Sequence, residues 1–210
     1  THQYPRTVGA CGGVCTNSVE KPMTYSHLSH LKCSGCGRQF SPQEIHTFCP
    51  DCQSPLLAVY DLDRVSTLVD RDEVSRRKKG MWRWHELLPV IDPGNVVFLG
   101  EGDASLLKVP NLGRELGLIN LFVKDESTNP TGSFKARGLA AAVSKAKELG
   151  IKKVIIPTAG NAGGAMAAYA ARASIQAVIF MPRDTPRANV EESRMAGAEV
   201  ILIDGLISDA

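Results

Sequence analysis

The sequence has no apolar run of eighteen or more residues, and its opening, THQYPRTVGACGG, lacks the basic region and apolar segment of a secretory signal. No membrane span is read from it, and the expectation is a soluble, cytoplasmic protein, although the chain begins at Thr1 rather than at methionine. An excess of one charge sign is also missing. With 24 Lys plus Arg against 22 Asp plus Glu, the net charge of +2 gives no electrostatic footprint for nucleic acid or an anionic membrane. The one dense basic run, Arg76 to Lys79, reads as a solvated face. What is present is an ordinary globular composition, 43% hydrophobic and 22% charged, in 210 residues. That length can bury one substantial core and carry a small accessory module.

Cysteine is sparse, but it is clustered. Six cysteines are too few for a secreted disulfide framework, and four of them form two close pairs, Cys33-x-x-Cys36 and Cys49-x-x-Cys52, with twelve residues between. This spacing predicts a metal-binding knuckle pair, with tetrahedral zinc as the leading reading. A vacant or iron-occupied site and a redox pair are the alternatives. The surrounding residues 28–60 suggest two short hairpins with almost no core, so metal would supply much of their folding free energy. Cys11 and Cys15, in an irregular arm at residues 1–27, are too irregularly spaced to assign. Residues 61–95 read as a connector in which Trp82 and Trp84 anchor the front of the chain and His85 is structural.

From residue 96 onward the pattern changes. VVFLG predicts a short strand or extended segment, NLGRELG a helix ending at Gly117, and LFVKDE a strand. Helices over 133–149, 162–173 and 187–195 then alternate with the strands VIIP, AVIF and VILID. That alternation predicts βαβ units around a parallel sheet, an α/β fold. The sheet reads as unfinished at GLISDA, as expected of part of a longer polypeptide.

Two stretches carry the chemistry. In NPTGSFKARG, Lys135 sits between a turn and the first turn of an alanine-rich helix. Alone, it could equally be a solvated charge or a held, reactive amine. In PTAGNAGGAMAAYAARA, after the strand KKVII, glycines and Asn161 open a helix of small side chains. A helix N-terminus there favours a carboxylate or phosphate. A tight turn with close helix packing would also explain those glycines. The segment matches neither G-x-x-x-x-G-K-[ST] nor G-x-G-x-x-G. If both turns lie at the carboxyl edge of one sheet, where ligands bind, a lysine amine there could form a Schiff base with an aldehyde cofactor.

NPTGSFKARG and TAGNAGG resemble the signature elements of the fold type II pyridoxal-phosphate enzymes, and within them the threonine synthases. LGEGDASLLKVPNLGRELG and LFVKDE resemble the family's approach to the cofactor lysine. The likeness covers about residues 96–205, and a cysteine-bearing front segment occurs in some threonine synthase-like proteins. It implies a parallel-sheet three-layer sandwich, incomplete here, over residues 96–210. It also implies pyridoxal 5'-phosphate held by Lys135, with Phe134 near the pyridine ring and Asn161 donating to the 3′ oxygen. The backbone around Thr158, Ala159 and Gly160 would receive the substrate carboxylate. Ser133 and Thr131 would touch substrate or shape the turn. The implied reaction is O-phospho-L-homoserine plus water to threonine and phosphate. A dehydratase, a β-replacement enzyme and a non-catalytic zinc-ribbon protein stand as alternatives, and Ala136 replaces the Asp of many threonine synthases. A small amino-acid substrate is the expected partner, without nucleic acid or membrane, and a homodimer is left open.

Overall fold

The structure, a computed structural model, describes residues 24–209. The predicted arm and its Cys11 and Cys15 therefore lie almost wholly outside the described residues. The chain opens on β1 (Leu28–Cys33), β2 (Gln39–Phe40) and β3 (Leu56–Tyr60), an antiparallel sheet in the order β2-β1-β3. Two separate hairpins were expected. Instead β1 pairs with both neighbours, and the second hairpin shrinks to a single bridge, Phe48 to Pro55, around Cys49 and Cys52.

Two short helices follow, α1 (Leu62–Leu68) and α2 (Arg71–Arg76), each started by an Asp whose carboxylate accepts a backbone N–H. In the connector Trp82 is buried, as an anchor requires, but Trp84 is 51% exposed and anchors nothing. The two-residue offset between them, about two-thirds of a turn in a 3-10 segment over Met81–Leu87 that kinks at Trp84, points only the first ring inward. His85 is structural: its ring stacks on Tyr25 and its Nδ1 pairs with the Tyr25 carbonyl.

VVFLG forms no strand. It runs as an extended segment fastened to the next domain element by side chains, Val97 N–H donating to Ser144 Oγ at 2.8 Å. Next come β4 (Ser105–Lys108), α3 (Pro110–Glu115) and β5 (Phe122–Asp125). β4 and β5 pair antiparallel as an independent two-stranded sheet. The strand leading to Lys135 therefore does not belong to the parallel sheet.

That sheet is built from β6 (Lys153–Pro157), β7 (Gln176–Pro182) and β8 (Glu199–Ile203), in the order β6-β7-β8. The connecting helices are α4 (Lys135–Glu148), α5 (Asn161–Arg172) and α6 (Arg187–Met195), of which α4 begins two residues later than predicted. Ala136, Ala140 and Val143 form one apolar stripe on α4, at the i, i+4, i+7 spacing of a helix face. They share a core with Met166, Tyr169 and Ala170 of α5 and with Ile179 and Met181 of β7. Each large side chain so buried contributes about 1.5–3 kcal/mol. The α4 terminus is fixed by Gly150 in the left-handed region, with Gly150 N–H on Lys147 O and Ile151 N–H on Ala146 O. This pairing ends α4 and leads the chain through Ile151 into β6. Helices α5 and α6 pack on one face of the sheet and α4 packs on α5, while Ile155, on the other face, is 60% exposed. With the sheet, these helices make two layers of the expected three.

Candidate active site

The NPTGSFK loop is built around Asn129, which is buried. Its Nδ2 donates to the Glu126 carbonyl and carboxylate, and its Oδ1 accepts the Gly102 N–H. Gly102 has φ +107°, and a Cβ there would lie 2.4 Å from the Met81 nitrogen, so only glycine lets the two backbones cross. Ser133 is buried and its hydroxyl accepts the Lys135 N–H at 3.3 Å, which replaces a helix cap. Phe134 is 57% exposed and the Lys135 ammonium lies 4.5 Å from its ring centroid. Among the described residues Lys135 has no carboxylate partner. The Thr131 hydroxyl oxygen is enclosed and has no hydrogen-bond partner.

The second loop leaves the carboxyl end of β6, where Thr158 N–H still bonds Phe180 O. Thr158 is buried and its Oγ1 accepts the Gly160 N–H. The Ala159 carbonyl accepts Asn189 Nδ2 from α6 at 3.4 Å. Of the three glycines, Gly163 and Gly164 serve packing: a Cβ at Gly163 would meet Met181 at 2.7 Å, and one at Gly164 the Glu192 carboxylate at 2.4 Å. Gly160 is different, with only Asn189 Nδ2 at 3.8 Å. No side chain caps α5, so its first N–H groups face outward, next to an exposed Asn161.

The structure thus groups Ser133, Phe134 and Lys135 at one helix start, and Thr158, Ala159, Gly160 and Asn161 at another. Helices α4 and α5 pack together, but the described hydrogen bonds do not join the two groups directly. Sequence reasoning overlooked Glu126 and Arg137. Arg137 Nε and Nη2 donate to the Glu126 carboxylate at 2.7 and 2.9 Å, and with Asn129 they hold the lysine loop from both sides. The available signal was a pair of opposite charges flanking the motif.

A family model described as pyridoxal-phosphate dependent enzyme matches residues 97–210. The chain belongs to this family. The pyridoxal-phosphate dependent enzymes need a free amine, an anion-receiving backbone and polar groups awaiting a partner. Lys135, the uncapped α5 N-terminus and the orphaned Thr131 hydroxyl fit those needs. Among curated relatives, the threonine synthase of Methanocaldococcus jannaschii is 36% identical over 180 residues, 85% of this chain and 44% of that protein. The threonine synthase of Methanosarcina acetivorans is 36% identical over 184 residues, 87% of this chain and 44% of that protein. The chain therefore spans less than half the length of these relatives. Among solved structures, apo diaminopropionate ammonia lyase of Escherichia coli matches with a TM-score of 0.50 and 23% identity, over 55% of this chain and 37% of that one, a likeness of fold.

The four cysteines converge as a third group. Cys33, Cys36, Cys49 and Cys52 have sulfurs all within 4.8 Å of one another, with Cys33 to Cys52 at 3.3 Å and Cys36 to Cys49 at 3.6 Å. Tetrahedral zinc–thiolate bonds require sulfurs roughly 3.8 Å apart, which this cage matches. Gly35 and Cys36 N–H groups point at Cys33 sulfur at 3.4 Å. Hydrogen bonds from the Ser54 hydroxyl and backbone pull the Cys52 thiol down to about 6. The donor set suits a metal cation.

Proposed function

We propose that the protein converts O-phospho-L-homoserine and water to L-threonine and phosphate, as a pyridoxal-phosphate enzyme of threonine synthase type. The observation that carries this is the 36% identity to threonine synthases over 180 residues, more than the 97–210 match contains, so the likeness reaches into the front of the chain. Pyridoxal phosphate, when bound, supplies an aldehyde and a ring that withdraws electrons from the bonds at the substrate Cα. Lys135 would hold that aldehyde through its amine. Once substrate displaces it, the same amine takes the proton from Cα and returns protons along the carbon chain, while the Cγ–O bond to phosphate breaks and water adds at Cβ. Asn161 donates to the cofactor's 3′ oxygen. The backbone around Thr158, Ala159 and Gly160, at the uncapped α5 end, receives the α-carboxylate. Ser133 shapes the turn that aims Lys135, and Phe134 covers the amine.

In the same reading Cys33, Cys36, Cys49 and Cys52 hold one structural zinc, and residues 28–60 depend on it for their fold. The reaction is tested by incubating the enzyme with pyridoxal phosphate and reducing it with borohydride. Peptide mapping should find the pyridoxyl group on Lys135 and nowhere in Lys135→Ala. Phosphate and threonine should then appear together from O-phospho-L-homoserine. Label on another lysine would sink the site, and oxo acids from threonine or serine in place of threonine formation would sink the reaction.

A further inference from the structure

A cleft of about 560 Å³ opens between residues 77–85 and residues 93–98, and its walls include none of the candidate site residues. That is the size of a small-molecule pocket. Four cationic side chains line it, Arg77, Lys78, Lys79 and Arg83, and among the described residues no carboxylate does. The four charges are not equivalent. Arg77 is neutralised by Glu73 and Glu86, at 2.9 and 2.6 Å. Arg83 reaches Asp103 at 3.4 Å, a longer and weaker pairing than those of Arg77. Lys78 and Lys79 are exposed and form no ion pair among the described residues. Two ammonium groups without a carboxylate partner among the described residues, on the same wall as the Arg83 guanidinium, are a setting that an anion satisfies.

The rest of the wall is apolar. Val96 and Phe98 line it, and Lys78 Nζ lies 5.7 Å from the Phe98 ring centroid, so positive charge and a ring face stand side by side. A bare anion would leave that wall in contact with water, whereas a ligand carrying both an anionic group and a flat ring uses both surfaces. We propose that this cleft binds a phosphorylated ring compound of nucleoside-monophosphate size, its phosphate on Lys78, Lys79 and Arg83 and its ring against Phe98. The basic run that reads as a solvated face in the sequence thereby acquires a ligand. The site is separate from the Lys135 site, and its test does not depend on turnover.

The test titrates the protein with the four nucleoside monophosphates, ribose 5-phosphate and inorganic phosphate by calorimetry. Fluorescence of a Trp84→Phe chain, in which Trp82 is the remaining indole, provides a second readout. At least one nucleotide should bind saturably, ten-fold or more tighter than ribose 5-phosphate or phosphate, and should quench Trp82. Lys78→Glu/Lys79→Glu, which alters two exposed side chains, should keep its melting temperature and weaken that binding ten-fold or more. Absence of saturable binding at millimolar nucleotide overturns the proposal. So does equal affinity for nucleotide and phosphate, or undiminished binding by the double variant.

Discussion

Glu126 shows how one carboxylate can set the position of a lysine it does not touch. It accepts two hydrogen bonds from Arg137 and one from Asn129, with Lys124 at 3.6 Å. Arg137 above all, and then Asn129, hold its carboxyl down at about 2, from an ordinary 4.5. A depressed acid stabilises the fold above its unfolded value and loses that contribution as pH falls. Stability should therefore decline between about pH 4.5 and 2, and Glu126→Gln should flatten that part of the melting-temperature profile. At neutral pH the same change should cost roughly 1–2 kcal/mol, because it unpairs Arg137 in a partly exposed site. A melting curve with the acid limb of the parent would refute this. Lys135 and Asn161 were legible in the sequence because each sits in a compact run of turn and helix-start residues. Glu126 and Arg137 were not, since eleven positions separate them and they meet only when a strand end folds against a helix.

Elements with strong local signals were read most closely. α6 occupies the predicted span, and α4 and α5 start within two residues of it, because alanine-rich runs end at residues that take the left-handed conformation. Strand pairing was much less visible. SLLK is four residues long and exposed throughout, so nothing in its pattern announced β4 or its claim on β5. The front sheet was legible through its cysteines rather than through periodicity. The matching prediction is that the protein carries about one zinc per chain, lost in Cys33→Ser. Chelation should abolish amide protection in β1 to β3 before it affects α4 and α5. A metal-free chain with intact protection there would exclude a structural metal.

At the scale of the whole molecule, the distribution of apolar surface is uneven. The two-stranded sheet exposes Leu106 at 65% and Phe122 at 45% on one face and Val123 at 45% on the other, and a pair of strands is too small to bury its own faces. Such a patch drives association. The 210-residue chain should show concentration-dependent mass in light scattering, and Leu106→Lys with Phe122→Lys should shift it toward monomer. No shift would mean that another surface governs association. No helix in the described residues is long and apolar enough to cross a membrane. A second whole-molecule feature sits in the interior. The fully buried Glu101 accepts Trp82 Nε1 at 2.8 Å, Tyr169 OH at 2.7 Å and Leu99 N–H at 3.0 Å, joining the connector to α5 through one carboxylate. Desolvation, reinforced by that carboxylate, keeps the Tyr169 phenol protonated far into alkali. Removing either ring donor leaves the buried carboxylate underserved, and removing the carboxylate strands three donors. In evolutionary terms these positions have little freedom to drift singly: across homologous chains Trp82, Glu101 and Tyr169 should be retained, or replaced, as a set.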